Sequence, residues 1–317
     1  MSPLAVCRAQ ELAVCPETHR WLIDGLWADQ AVGIIGGEPK CGKSLLALDL
    51  AVAVASGAPC LRRFQPAQTG RVLLFAAEDA LPLVRRRLEG IAWAAEVAFA
   101  PLDIHVITTP SLRLDLAEDR DRLHATVATL RPTLLVLDPL VRLHRIDENA
   151  VVEVAPLLAY LRQLQREFAT AVALVHHARK GAAHLRAGQA LRGSSDLHAW
   201  GDSNLYLRRR GDTLLLTVEH RAAPSTSGVT LELRAAGDAV ALSVVDRVPD
   251  PLPARGAPPS ALDRIEHALA NTAGPLSLRQ LRHLCRLRMA TLCDVLTTLR
   301  TEGRVLKAAG GYQLAPR

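Results

Sequence analysis

The residues most able to do chemistry in this 317-residue chain lie in one short stretch, Gly36-Gly37-Glu38-Pro39-Lys40-Cys41-Gly42-Lys43-Ser44. A glycine, four residues, then Gly-Lys-Ser is the spacing of a phosphate-binding loop. The glycines let backbone N–H groups close around phosphate oxygens, and the N-terminus of a following helix adds a favourable dipole. Lys43 has the reach and charge for β- and γ-phosphates, and Ser44 has the hydroxyl for Mg²⁺. The whole cradle runs Gly37, Glu38, Pro39, Lys40, Cys41, Gly42, Lys43, Ser44 and Leu45, and it implies binding of a nucleoside triphosphate with Mg²⁺. Cys41 lies inside the loop, so alkylation there is expected to block nucleotide binding.

Hydrolysis of a phosphoanhydride also needs a ligand for the metal shell, a group that orients water, and charge on the transition state. Asp138 follows the apolar run Leu134-Leu135-Val136-Leu137, an acid at a strand tip suited to the Mg²⁺ shell. Glu78 follows Leu73-Leu74-Phe75-Ala76-Ala77 and is the candidate for polarising water. Asp79 competes for that role, and a helix cap is the alternative for both. His177 ends the apolar run Ala171–Val175 plus His176, where an imidazole can sense a γ-phosphate. Side chains alternate along a strand, so only one of His176 and His177 faces the site.

These residues need elements to hold them. Residues 31–35, 71–77, 103–107, 133–137 and 171–175 read as short buried strands. Helical patterns fall between them, over 44–54, around 81–91, over 117–130 and over 149–167. This alternation predicts an α/β fold with a mostly parallel sheet covered on both faces. Ligands in such sheets bind beyond the carboxyl ends of the strands, where the loop, Glu78, Asp138 and His177 all stand. From residue 203 the spacing changes to four strand-like runs joined by short polar links, read as antiparallel hairpins extending the sheet. The run from Trp21 to Trp27 packs beside the nucleotide site, against a neighbouring subunit, or simply in the core.

Hydrophobic residues make up 49% of the chain and charged residues 22%, which argues against disorder. No apolar run has the length of a membrane span, and no secretory leader is recognisable, so a cytoplasmic location is expected. The six cysteines show no metal-ligand spacing and read as free thiols. Charge is unevenly placed. Residues 255–317 hold ten Lys/Arg and four acids, an excess equal to the +6 of the whole chain. A proline-rich stretch, 248–260, precedes that region and reads as a linker. The expected organisation is an N-terminal segment (1–30), an ATPase domain (31–247), the linker (248–260) and a small domain (261–317). In the last, three short helices and a strand–turn–strand outline a winged helix-turn-helix.

GGEPKCGKS, the strand ending FAAED, LLVLDPL, ALVHHARKG, LRGSSDLHAWGDS and VEHR together resemble the RecA-like AAA family ATPases that include the RepA-type hexameric replicative helicases of plasmids. DnaB is a more distant relative. The resemblance spans about residues 20–245 and implies a RecA-like P-loop NTPase fold. It implies Glu78 as catalytic glutamate, Asp138 as the Walker B acid and His177 as sensor. It implies that Arg192, Gly193, Ser194 and Ser195 border a DNA channel, and the stretch 179–191, with Lys180 and Arg186, resembles a channel loop. Rings of this family place an arginine from the neighbour at each site. Arg208 and Arg221 are the candidates, and Glu219 stands where relatives commonly carry lysine. The tail resembles winged helix-turn-helix domains, with a recognition helix over 289–300, Met289, Thr291 and Thr297 as readers, and Arg288 and Arg300 on phosphates. The resemblance thus implies a ring-forming homo-oligomer, a hexamer, hydrolysing ATP to move on single-stranded DNA in replication of a plasmid, phage or mobile element. Duplex DNA would bind through the tail. The alternative is a regulatory DNA-binding ATPase switch without processive unwinding.

Overall fold

The structure, a computed structural model, describes residues 6–11, 21–177, 195–236, 238–245, 261–272, 274–285, 287 and 289–315. Chain contacts divide it into two compact units, residues 1–248 and 249–317.

The first unit opens with a two-stranded antiparallel ribbon, β1 (Trp21–Ile23) and β2 (Trp27–Ala28). Leu22, Ile23, Leu26 and Trp27 are fully buried, so this run is core. Five strands then alternate with helices. They are β3 (Val32–Gly37), β4 (Val72–Ala76), β5 (Ile104–Val106), β6 (Leu134–Asp138) and β7 (Ala171–His177). The helices between them are α1 (Lys43–Ser56), α2 (Leu81–Ala94), α3 (Ala117–Leu130) and α4 (Val151–Phe168). A short helix, α5 (Ser195–Trp200), leads into β8 (Ser203–Arg210), β9 (Thr213–His220), β10 (Thr226–Ala236) and β11 (Ala239–Val244). The nine-stranded sheet has the order β11-β10-β9-β8-β3-β7-β6-β4-β5. Pairing is parallel from β5 to β8 and antiparallel from β8 to β11. The expected hairpins therefore extend the sheet, with β8 serving both patterns.

The strands alternate between two cores, as a two-residue period requires. Val72, Leu74, Leu134 and Val136 face α1 and α2. Leu73, Phe75, Leu135 and Leu137 face α3 and α4. Every residue of α1 from Leu46 to Val54 is buried, which is why its sequence carries no polar stripe. Strand β3 lies at the centre and tolerates little bulk on its β8 side. A Cβ on Gly33 would fall 1.6 Å from the Ser203 carbonyl oxygen. Asn204 Oδ1 accepts a hydrogen bond from the Ile34 N–H at 3.0 Å, joining the two strands further.

The second unit has three helices, α6 (Ala261–Ala270), α7 (Leu278–Cys285) and α8 (Met289–Thr301), and an antiparallel hairpin, β12 (Val305–Ala308) with β13 (Gly311–Leu314). Ile265, Leu281, Leu292, Leu296 and Leu299 form its own core. Ser277 and Gln280 make a reciprocal cap at the start of α7, the Ser277 N–H donating to Gln280 Oε1 at 2.9 Å.

Candidate functional site

Strand β3 delivers the chain to the loop, and the loop turns it into α1. Gly37 must be glycine because a Cβ there would lie 2.3 Å from the Leu207 carbonyl oxygen of β8. Lys40 (φ 61°) and Gly42 (φ 88°) are left-handed, a backbone suited to a concave anion-binding loop. Helix α1 begins at Lys43 with no side-chain cap, so its first N–H groups are left for an anion. Lys43 is 5% exposed, and its Nζ donates to the Glu38 carbonyl at 2.7 Å. Burial lowers its pKa; the charges of Cys41, Asp138, Glu78 and Glu38 oppose that shift.

A cleft of about 330 Å³ opens beside Lys43. Lys40, Gly42, Lys43, Ser44 and Leu45 line it from the loop; Glu78, Asp79, Asp138 and His177 line it from the strand ends. Asp138 is the last residue of β6 and is 7% exposed. Burial raises its carboxyl to about 6; the Ser44 hydroxyl donates to it, lowering the value, while the charges of Asp79 and Glu78 raise it. Ser44 and Asp138 line the same cleft, and the pair suits Mg²⁺, which takes few protein ligands and completes its shell with phosphate and water. His177 ends β7 in register with Gly37 and lines the cleft, whereas His176 is buried.

Glu78 lines the cleft from just beyond its strand. Strand β4 closes at Ala76, and Glu78 and Asp79 lie in the bend before α2. Neither caps α2, whose N-cap is Ala80 without a side-chain bond. Instead each acid is held by an arginine: Arg142 donates to Glu78 Oε1 at 2.9 Å, and Arg87 bonds Asp79. Nothing in the sequence singled out Arg87 from the Arg85-Arg86-Arg87 run, or Arg142 beyond β6. Leu233 and Val240, which also line the cleft, were equally hidden because long-range strand pairing brings them there. Arg209 reaches the loop too, donating to the Lys40 carbonyl at 3.1 Å.

Other expected residues lie elsewhere. Cys41 is 1% exposed and sits against Gly37 on the core side, where its Sγ accepts from Lys43 Nζ at 4.0 Å. Burial also pushes its thiol up. Burial makes Cys41 slow to react: under native conditions a maleimide should label Cys7 and Cys293, both exposed, well before Cys41, Cys60 or Cys285. Peptide mass spectrometry over time reads the order; early labelling of Cys41 would refute the placement. Arg208, near the loop end of β8, and Arg221, at the opposite end of the β8–β9 hairpin, do not line the cleft within this chain. Arg221 pairs with Asp202 at 3.0 Å and donates to the Ala199 carbonyl at 2.5 Å. Thr291, Thr297 and Arg300 are exposed on α8, with Asp294 exposed among them. Ser195 opens α5, while Lys180, Arg186, Arg192, Gly193, Ser194 and Arg288 lie outside the described residues.

A mostly parallel sheet with a phosphate loop, a strand-tip acid and further polar groups on one rim defines a RecA-like P-loop ATPase. The chain belongs to the AAA domain family, whose model matches residues 3–183. Among solved structures it is similar to a DnaB-like replicative helicase, described together with its interactions with primase. That likeness is 15% identical, covers 67% of this chain and 57% of that one, and has a TM-score of 0.52. It is also similar to the RadB recombinase at 15% identity, covering 69% of this chain and 92% of that one, with a TM-score of 0.49. The chain thus spans just over half the length of the helicase, and the likeness to the helicase speaks to the fold alone. No helix among the described residues is long and apolar enough to cross a membrane.

Proposed function

We propose that this chain is an ATP-hydrolysing, ring-forming DNA helicase or translocase of RepA type, acting on single-stranded DNA in replication of a plasmid, phage or mobile element. The observation that carries the reading is the single cleft shared by Lys43, Ser44, Asp138, Glu78 and His177. Lys43 and the loop backbone hold the phosphates. Ser44 and Asp138 would hold Mg²⁺, which when bound neutralises phosphate charge. Glu78 orients the attacking water, with Asp79 beside it. His177, alongside the start of the loop, senses loss of the γ-phosphate. A neighbouring subunit in a hexamer contributes Arg208 or Arg221; of these, Arg221 must first leave Asp202. Lys180, Arg186, Arg192, Ser194 and Ser195 belong to the segments that grip DNA in the channel. The second unit is a winged helix-turn-helix with α8 as its recognition helix, Thr291 and Arg300 on its outer face and Arg288 just before it.

A second reading is a regulatory ATPase switch that binds duplex DNA without processive movement. The charge split favours it, because the entire net positive charge lies in residues 255–317. Steady-state ATP hydrolysis with no DNA, single strands or duplex, beside strand displacement on a forked substrate, separates the two. The helicase reading expects strong stimulation by any single strand and displacement of the annealed strand. Hydrolysis indifferent to single strands, with tight binding to one duplex through residues 255–317, would replace it with the switch.

A further inference from the structure

Two apolar side chains stand in the phosphate cleft at its sheet side. Leu233 of β10 is 44% exposed and Val240 of β11 is 43% exposed, and both line the cleft with Lys43 and Ser44. They form the outer end of a longer apolar face. The register sets Leu233 opposite Leu242 and Val240 opposite Ala235, and Leu231 lies on the same face two residues before Leu233. Leu231 and Leu242 are buried, and a Cβ on Gly42 would meet Leu242 Cδ1 at 3.6 Å. The face therefore starts beneath the phosphate loop and runs out into the cleft. Its tip is seated closely. A Cβ on Gly90 of α2 would lie 2.5 Å from Ala239 Cβ, so the glycine lets the hairpin rest directly on the helix.

The polar lining comes from the loop, the strand ends and α2, and its groups suit phosphate, metal and water. What remains for the rest of a nucleotide is aliphatic. We propose that Leu233 and Val240 are the platform for the nucleobase, held by apolar contact, so that the site accepts nucleoside triphosphates with little regard to the base. This rests on the reading of the loop as a triphosphate site. An aliphatic wall gains from any planar ring face but cannot strongly reject a ring whose edge differs, whereas a site that hydrogen-bonds the edge discriminates by about 10⁴-fold.

Calorimetry on the full chain with Mg²⁺ tests this, using ATP, GTP, CTP, UTP and inorganic tripolyphosphate. ATP and GTP should bind within a few-fold of each other. Leu233→Ser with Val240→Ser should weaken ATP by about tenfold and leave tripolyphosphate unchanged. Leu233→Trp, which offers a stacking ring, should tighten ATP alone. A hundredfold preference among bases in the native chain would overturn the platform. So would equal weakening of ATP and tripolyphosphate, an unchanged ATP affinity in all variants, or a change only in oligomeric mass, which would assign the face to a second copy. Lys43→Ala separates the two readings. If it binds tripolyphosphate as the native chain does, the triphosphate site itself is misplaced, and the platform falls with it.

Discussion

Lys43→Ala is expected to abolish ATP hydrolysis, by about a thousandfold or more, and, on the proposed helicase function, strand displacement with it, while the protein stays folded. The expected loss follows from where the ammonium sits. Lys43 is 5% exposed, inside a loop whose other phosphate-facing groups are backbone N–H groups. Its ammonium lies at the start of α1 among the loop N–H groups, and the acids of the cleft, Glu78, Asp79 and Asp138, all oppose phosphate. Removing it takes away the cation that offsets Asp138, whereas Glu78 and Asp79 keep Arg142 and Arg87. The fold has little to lose. The Nζ bond to the Glu38 carbonyl is local, alanine is the best helix former at the first position of α1, and a buried charge leaves with the side chain. Unchanged circular dichroism with a melting temperature within a few degrees of the native one is the control. A folded Lys43→Ala protein that hydrolyses ATP at the native rate would sink the site assignment.

The sequence was most informative where chemistry and local geometry coincide. The loop at 36–44 was legible because its glycines and its lysine each have one physical job. Asp138 and His177 were legible because a polar residue ending a buried strand has few reasons to be there. The strands themselves stood out as apolar runs with helices between, and even the late hairpins read correctly, since strands β9 to β11 carry short links. What stayed hidden is what depends on distance in the chain. The arginine that holds Glu78 comes from beyond β6, 64 residues further along the chain. Leu233 and Val240 look like ordinary strand residues until β10 and β11 fold beside the loop. Cys41 is a further case. Its place in the loop does not reveal that the thiol is buried in the core, against Gly37. The ribbon β1–β2 was read as undetermined because tryptophans serve cores and interfaces alike, and its burial assigns it to the core.

Asp138→Asn is expected to cut hydrolysis by at least a hundredfold and yet to make the nucleotide- and metal-free protein more stable at neutral pH. Burial, with Glu78 and Asp79 nearby, holds the Asp138 carboxyl at about 6 against an ordinary 3.8. The folded chain therefore binds this proton more tightly than an unfolded chain does. Between these values the folded state carries more protons, so stability falls as pH rises, and the cost is complete above about 6. The gap corresponds to about 3 kcal/mol. Asparagine keeps an oxygen to accept from the Ser44 hydroxyl and carries no charge to desolvate. At pH 7.5 the variant should exceed the native protein by about 2 kcal/mol in denaturant unfolding, and near pH 4 the two should converge. Adding Mg²⁺ and ATP should reverse the order at pH 7.5, because only the native carboxylate gains a cation. A native protein that grows more stable from pH 4 to 7, with Asp138→Asn weaker throughout, would show that the carboxylate is already compensated within the fold. Its cost to the free protein would then no longer explain an acid poised for the metal.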